Sequence, residues 1–365
     1  MENLELSSMF GGIYRNRRVL VTGHTGFKGS WLCYWLSQMG AQLYGISLSP
    51  PTHPNHFDLL SFEIESYIQD INDFSKVNKI IQQINPEIIF HLAAQPLVRL
   101  SYQEPINTLT TNILGTANIL ESARQLTNLK AVVIVTSDKC YDNKEWVWGY
   151  RENEAMGGKD PYSASKGCAE IITSAYRNSF YNNSGKALIA SARAGNVIGG
   201  GDWARDRIIT DIVTTANMSE RVYLRFPNAT RPWQYVLEPL SGYLTLGWQL
   251  LEGVESFGES WNFGPNNESN VTVMELVKEA SKHWKKIEYD YDNEAHPHEA
   301  GFLMLDSSKA TKLLQWRPVW NFNLTVKNTV NWYKSYYESG EILTDEILRA
   351  YITDAISKSI PWSLT

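Results

Sequence analysis

Cysteine is scarce: Cys33, Cys140 and Cys168 are the only three in 365 residues. They are odd in number and far apart, which indicates neither a disulfide framework nor a zinc site. Long apolar runs are missing as well, and no stretch approaches the roughly 18 residues that span a bilayer. Met1–Gly12 is polar and mixed, unlike a signal peptide. The expected location is therefore the cytoplasm. Basic excess is absent too. The formal net charge is −6 and no basic run stands out, which argues against a nucleic-acid surface and requires any phosphate site to be local. Internal repeats, low-complexity tracts and an independent linker are not seen.

What is present is the composition of an ordinary globular protein, with 43% hydrophobic and 20% charged residues. A chain of this length can bury a large core and suits two subdomains. Aromatic residues are plentiful, and the 13 Trp read mainly as core, with a few available to line a sugar pocket.

The first unit is a strand, Arg18–Thr22, followed by the turn Gly23-His24-Thr25-Gly26-Phe27-Lys28-Gly29 and a helix over Ser30–Met39. Strand, glycine-rich turn and helix in this order suit a dinucleotide. The glycines let the backbone approach a pyrophosphate, and the helix N-terminus stabilises its charge. The pattern is G-x-x-G-x-x-G; alone it is weak, and its strand–helix context gives it meaning. The next strand is Gln42–Ser47. An acid that would hold the adenosine ribose is expected about 20 residues past the glycines. Here Gly29–Phe57 contains no Asp, Glu, Lys or Arg, so this segment does not decide between NAD and NADP. Ser47, Ser49 and Thr52 are the polar groups left for the ribose, or they are plain loop.

Alternation continues with a helix over Phe74–Ile84 capped by Asp73, a strand over Glu87–Leu92, a long helical pattern over Thr108–Leu126, and a strand over Lys130–Val135. Asp70 and Ile71 fall beside the adenine. Leu92, Ala93 and Ala94 either let the cofactor lie close or pack strand against helix. Asn112, inside the long helical pattern, reads as exposed. Repeated β-α units imply a doubly wound parallel sheet of Rossmann type, whose ligands bind at the carboxyl ends of the strands. The residues 1–190 form the expected cofactor domain. Residues 191–365 form a smaller, mainly substrate-binding lobe interleaved with it.

Thr136-Ser137-Asp138-Lys139-Cys140-Tyr141 follows the fifth strand directly and opens onto that crevice. Ser137 supplies a hydroxyl, and Asp138 and Lys139 an adjacent acid and base. Asp160-Pro161-Tyr162-Ser163-Ala164-Ser165-Lys166 then starts a helix, with Pro161 at its first position. Tyr162 and Lys166, four apart, share one face. A neighbouring ammonium lowers a phenol's pKa, so Tyr162 is expected to act as a base toward a substrate hydroxyl. An isolated Y-x-x-x-K is more often a surface pair, and charged residues at strand ends are usually just solvated. The constellation of Ser137, Asp138, Lys139, Tyr162 and Lys166 is what favours catalysis.

These residues resemble the extended short-chain dehydrogenase/reductase family. The glycines Gly23, Gly26 and Gly29 and the Tyr162/Lys166 pair carry the general likeness. The loop Gly23–Ser30, the run Thr136–Tyr141, and the stretches Gly195–Trp203 and Arg231–Pro239 are similar to its CDP-linked nucleotide-sugar dehydratases. Dehydratases of the dTDP type usually carry Asp-Glu where this chain has Asp138-Lys139. The resemblance covers Arg18 to about Trp332. It implies NAD, retained through turnover, and CDP-glucose as the substrate, converted to CDP-4-dehydro-6-deoxyglucose and water. It also implies a homodimer or higher homo-oligomer. Gln95, Asn196, Arg207, Arg231 and Glu299 are the substrate-binding candidates. Asn196 and the two arginines would meet the diphosphate, and Glu299 belongs to a loop, His296–Glu299, that closes over the nucleotide in relatives. Two rivals share parts of the pattern. A nucleotide-sugar 4-epimerase would not need Asp138-Lys139 for elimination. A non-catalytic NAD-binding regulator could lose the tyrosine–lysine pair.

Overall fold

β1, Arg18–Thr22, is the strand around which the sheet is built. Its last four residues are buried, and it pairs on one side with β2 (Gln42–Ser47) and on the other with β4 (Ile88–His91). The computed structural model describes residues 5–181, 185–224, 226–291 and 303–364. β3 (Glu65–Ile68), β5 (Ala131–Val135), β6 (Leu188–Ala194) and a seventh strand, Ser260–Phe263, complete a seven-stranded sheet. From one edge the order is β3, β2, β1, β4, β5, β6 and then Ser260–Phe263. Every pairing is parallel. The strand order reverses between β1 and β4, and that switch point is where an open α/β sheet takes its ligand.

The central strands carry continuous apolar runs because both faces are covered. One face packs Val19, Val21, Phe90 and Val133 against a large tryptophan-rich core. The other packs Leu20, Ile89, Val132 and Ile134 against the helix Phe74–Ile84 and its neighbours. Trp31, Trp35, Trp261, Trp284, Trp316, Trp332 and Trp362 are fully buried, so the tryptophans serve mostly the core, as their number suggested. Asp73 caps its helix by accepting from Lys76 N at 3.2 Å.

Two departures from the sequence reading have physical causes. β3 was not anticipated, because three of its four residues are exposed and it shows no apolar period. The pattern over 108–126 is not one regular helix. It is Pro105–Leu109, a π-helical turn Thr110–Leu114, and Gly115–Arg124. That extra-wide turn rotates Asn112 inward, where it is 2% exposed.

The second half of the chain is not a separate layer. Ser260–Phe263 joins the main sheet beside β6. The helix Leu237–Leu251 packs beneath β5 and β6, and its residues Leu240, Leu244 and Leu246 are buried.

Candidate active site

The glycine turn enters the helix Phe27–Gln38 with no side-chain cap and no acidic residue in its first turn. Gly23 has φ 76°, and a β-carbon there would lie 2.7 Å from Ala93 N. A β-carbon on Gly29 would lie 2.1 Å from Gly23 O. Gly26 is different: its β-carbon would meet only Gly23 O, at 3.3 Å. Gly23 and Gly29 thus serve tight packing, while Gly26 leaves backbone open toward the crevice. Uncapped helix N–H groups and an open backbone fit the pyrophosphate of a dinucleotide.

Around the place of the missing ribose acid, Ser47 Oγ is 2.8 Å from Thr25 Oγ1, and Thr25 Oγ1 donates to Leu48 O at 2.9 Å. His24 lies beneath Gly45, bonds Ser66 Oγ through Nε2 at 2.7 Å, and is pushed down to about 4 by burial. Thr52 Oγ1 is spent on Pro54 O. Of the adenine candidates, Asp70 stays exposed and accepts from Asn72 N at 2.9 Å. Ile71 is the more buried of the two. Its side chain is 4% exposed, against Gly115 in the core. Leu92 and Ala93 pack beside Gly23, Ala93 N donating to Thr22 Oγ1 at 3.2 Å, and Ala94 is half-buried.

A cavity of about 710 Å³ opens beyond β5 and reaches from Pro96 past Asp138 and Lys139 to Asn196, Arg207 and Arg231. Ser137 Oγ donates to Asp138 Oδ1 at 2.8 Å and accepts from Lys139 N at 3.2 Å. Burial raises the Asp138 carboxyl above the ordinary carboxylate range, while Lys139, Ser137 and Lys28 pull it back. The helix Pro161–Phe180 starts where the sequence placed it, with Asp160 accepting from Ser163 N at 2.9 Å. Tyr162 and Lys166 are buried on it, at 8% and 7% exposure.

The expected lowering of the Tyr162 pKa by Lys166 is not what this environment gives. Burial pushes Tyr162 up to about 12, offset in part by a hydrogen bond with Ser137 and by the Arg207 charge. Lys166 is itself pushed down to about 8, also by burial, and its Nζ faces Val135 O at 3.5 Å. Burial is the largest influence on both groups.

Among the substrate candidates, Asn196, Arg207 and Arg231 line the cavity. Arg207 Nε is buried and has no hydrogen-bond partner among the described residues. Gln95 does not reach the cavity. Its amide is used by Leu97 N at 2.6 Å, Leu97 O at 3.1 Å and Thr108 Oγ1 at 2.8 Å, which pins its own loop. Glu299 and the rest of its loop, His296–Glu299, lie outside the described residues.

Asn112 is the site residue the sequence reading missed. Its Oδ1 accepts from Gln95 N at 2.8 Å, and its Nδ2 donates to Gln95 O and to Ser165 Oγ. Ser165 Oγ in turn donates to Tyr162 O at 2.6 Å. An Asn within a helical pattern carries little signal of its own; only the π-turn brings it inward against Gln95 and Ser165.

Known proteins match this arrangement along most of the chain. The family model described as GDP-mannose 4,6 dehydratase matches residues 20–329. A CDP-glucose 4,6-dehydratase of Salmonella typhimurium is 51% identical over 337 residues, covering 90% of this chain and 94% of the relative. An epimerase structure from Methanothermobacter thermautotrophicus superposes with a TM-score of 0.78 at 22% identity, covering 94% of this chain and 96% of the other. A dTDP-glucose 4,6-dehydratase structure from Bacillus anthracis, in complex with NAD, gives 0.69 at 22% identity, covering 88% and 97%. Both share the fold of this chain. On the strength of the matched model and of the half-identical relative, the chain belongs to the GDP-mannose 4,6 dehydratase family.

Proposed function

We propose that the protein removes water from CDP-glucose, giving CDP-4-dehydro-6-deoxyglucose, with NAD held along the glycine turn. The observation that carries this reading is the Asp138-Lys139 pair, which lines the same cavity that the Tyr162 helix borders through Asp160 and Ser163. A base for the 4-hydroxyl alone would serve a dehydrogenase or an epimerase. An additional acid and base at C5 and C6 is what elimination needs. The CDP-glucose specificity is supported by the 51% identical relative.

When bound, NAD supplies reversible hydride storage between C4 and C6. Tyr162 takes the proton of the 4-hydroxyl. The 4-ketone so formed acidifies the C5 hydrogen, and the Lys139 amine removes it. Asp138, kept protonated to higher pH than an ordinary carboxyl by burial, protonates the departing 6-hydroxyl. Arg207 and Arg231 hold the diphosphate, with Asn196 beside it. All three come from the part of the chain beyond residue 190, which is interleaved with the cofactor half.

Mass analysis after incubation with CDP-, dTDP- and UDP-glucose tests the reading. Loss of one water from CDP-glucose supports it. An unchanged mass with an inverted C4 centre would point to an epimerase, and no turnover to a regulator.

A homodimer is part of the proposal. Ile106, Leu114 and Ile171 are 74%, 55% and 58% exposed, on helices that flank one side of the sheet, and a second copy would cover them. Sedimentation at micromolar concentration checks the assembly. A cytoplasmic location is proposed with it. Among the described residues no helix is long and apolar enough to cross a membrane, and cell fractionation decides the location.

A further inference from the structure

Ser137, Asp138 and Lys139 hang between two side-chain anchors that end on one buried ion pair. Arg193 Nη2 and Glu170 Oε2 are 2.7 Å apart, and each side chain is 3% exposed. Upstream of the loop, Thr136 Oγ1 donates to Glu170 Oε1 at 2.5 Å. Downstream, Arg193 Nη1 donates to Tyr141 OH at 2.6 Å, and the guanidinium stands 5.0 Å from the centre of that ring. Tyr141 OH in turn donates a hydrogen bond to Asn262 Oδ1 at 2.8 Å. Ser191 Oγ donates to Glu170 Oε2 at 2.7 Å. The pair therefore ties β5, β6, the seventh strand and the tyrosine helix to the two ends of one short loop.

Glu170 stands four residues after Lys166 on that helix, one turn along the same face. Through Thr136, Glu170 ties the loop that carries Asp138 and Lys139 to the helix that carries Tyr162 and Lys166. A buried ion pair is weak evidence for stability, because desolvation consumes most of the attraction. Its value lies in geometry: two charges that cannot tolerate separation hold their elements in one register.

The two halves of the catalytic constellation depend on this pair unequally. Tyr162 has supports of its own: the Asp160 cap, the Asn112–Ser165 bond, and Tyr162 N donating to Ser101 Oγ at 3.3 Å. The hydrogen bonds of Ser137 Oγ with Asp138 and Lys139 stay inside the loop. Besides the pair, backbone contacts beyond the loop's ends hold it, such as Gly157 N to Cys140 O at 2.8 Å.

We propose that Glu170 and Arg193 are positioning residues for the elimination step, holding the Ser137–Lys139 loop in register with the tyrosine helix so that acid and base meet C5 and C6. This rests on the dehydratase reading above. Oxidation at C4 depends on Tyr162, which keeps supports of its own, and falls less than elimination does.

The test compares Arg193→Met, Arg193→Lys and Tyr141→Phe with the unaltered protein, using CDP-glucose and NAD in deuterated water. In Arg193→Met, deuterium uptake at C5 and water loss fall about tenfold or more while first-turnover C4 oxidation changes by less than about threefold. Arg193→Lys recovers part of the loss. Tyr141→Phe leaves the ion pair in place and shows the same imbalance more mildly, so the comparison survives if Arg193→Met fails to fold. Without ligands, hydrogen exchange at amides 138–141 speeds up in these variants, while amides 162–175 stay protected. An equal loss of oxidation and elimination, or unchanged exchange in the loop, overturns the positioning role. Failure of the unaltered protein to release water from CDP-glucose sinks the dehydratase reading instead. That outcome is separate, because it appears before any variant is compared.

Discussion

Asn112 Nδ2 donates to Ser165 Oγ across 2.8 Å, joining the π-turn on one helix to the N-terminal part of the tyrosine helix. The same side chain satisfies Gln95 N and Gln95 O. Replacing it by Leu strips partners from a buried backbone N–H and a carbonyl, a cost of about 1–3 kcal/mol. Asn112→Leu should lower the unfolding midpoint. It should also lower kcat more than it changes KM, because Tyr162 loses its support while the diphosphate site is untouched. Denaturant unfolding and steady-state kinetics on one preparation check both parts.

Two glycines of the turn should fail in different ways. Gly29→Ala places a methyl 2.1 Å from Gly23 O, and overpacking of this kind costs about 1–3 kcal/mol or more. Gly26→Ala, at 3.3 Å from the same oxygen, spares the fold but crowds the open backbone, so NAD binding weakens severalfold. Thermal melting separates the first effect, and calorimetric titration with NAD the second.

The sheet was legible because its central strands are apolar throughout and are punctuated by glycines with fixed duties. The start of the tyrosine helix was legible for a similar reason: Asp160 and Pro161 are local signals, and their cap forms as expected. What stayed hidden depends on contacts between distant residues. β3 offers no apolar period, since it lies on an exposed edge. Gln95 looked available at a strand end, yet its amide turns back on Leu97 and Thr108. The pKa of Tyr162 was misjudged because spacing reveals the nearby Lys166 but not the burial that dominates both groups.

Glu238 links stability to pH. Its carboxylate accepts from Val319 N at 2.9 Å, Trp320 N at 2.7 Å and Tyr351 OH at 2.8 Å, and burial pushes it up to about 7 from an ordinary 4.5. A carboxyl raised on folding gives stability that is complete below its unfolded pKa and is lost as pH rises through the folded one. Stability should therefore fall from about pH 5 to pH 8, by up to about 3 kcal/mol. Glu238→Gln should flatten that slope while lowering stability overall, since its amide must turn an N–H toward one of the two backbone donors. Urea unfolding across the pH range reads the slope.

Tyr162→Phe should keep the fold and lose about 10²–10⁴-fold in rate, the usual worth of a general base. With the phenol pushed up to about 12, single-turnover C4 oxidation by the unaltered protein should rise with pH through the neutral and mildly alkaline range, because the base must be deprotonated. The variant's residual rate should not rise. Near-normal turnover by a well-folded Tyr162→Phe would remove the tyrosine from the mechanism.

Hydrogen traffic on the sugar distinguishes dehydration from the other chemistries open to this fold. Asp138 and Lys139 both line the cavity, and only elimination employs both. Deuterium placed at C4 of CDP-glucose should reappear at C6 of the same molecule. The new C5 hydrogen should come from solvent, because an amine on Lys139 exchanges its proton with water. Lys139→Met should stop C5 exchange and stall the reaction after oxidation, with the near-ultraviolet absorbance of reduced cofactor persisting. Asp138→Asn should leave C5 exchange partly intact and slow the loss of water, since only the leaving hydroxyl lacks its acid. Mass and proton spectra of product made in deuterated water report all of these positions. C5 exchange at the normal rate in Lys139→Met, or solvent hydrogen at C6, would show that the two residues do not divide the work in this way.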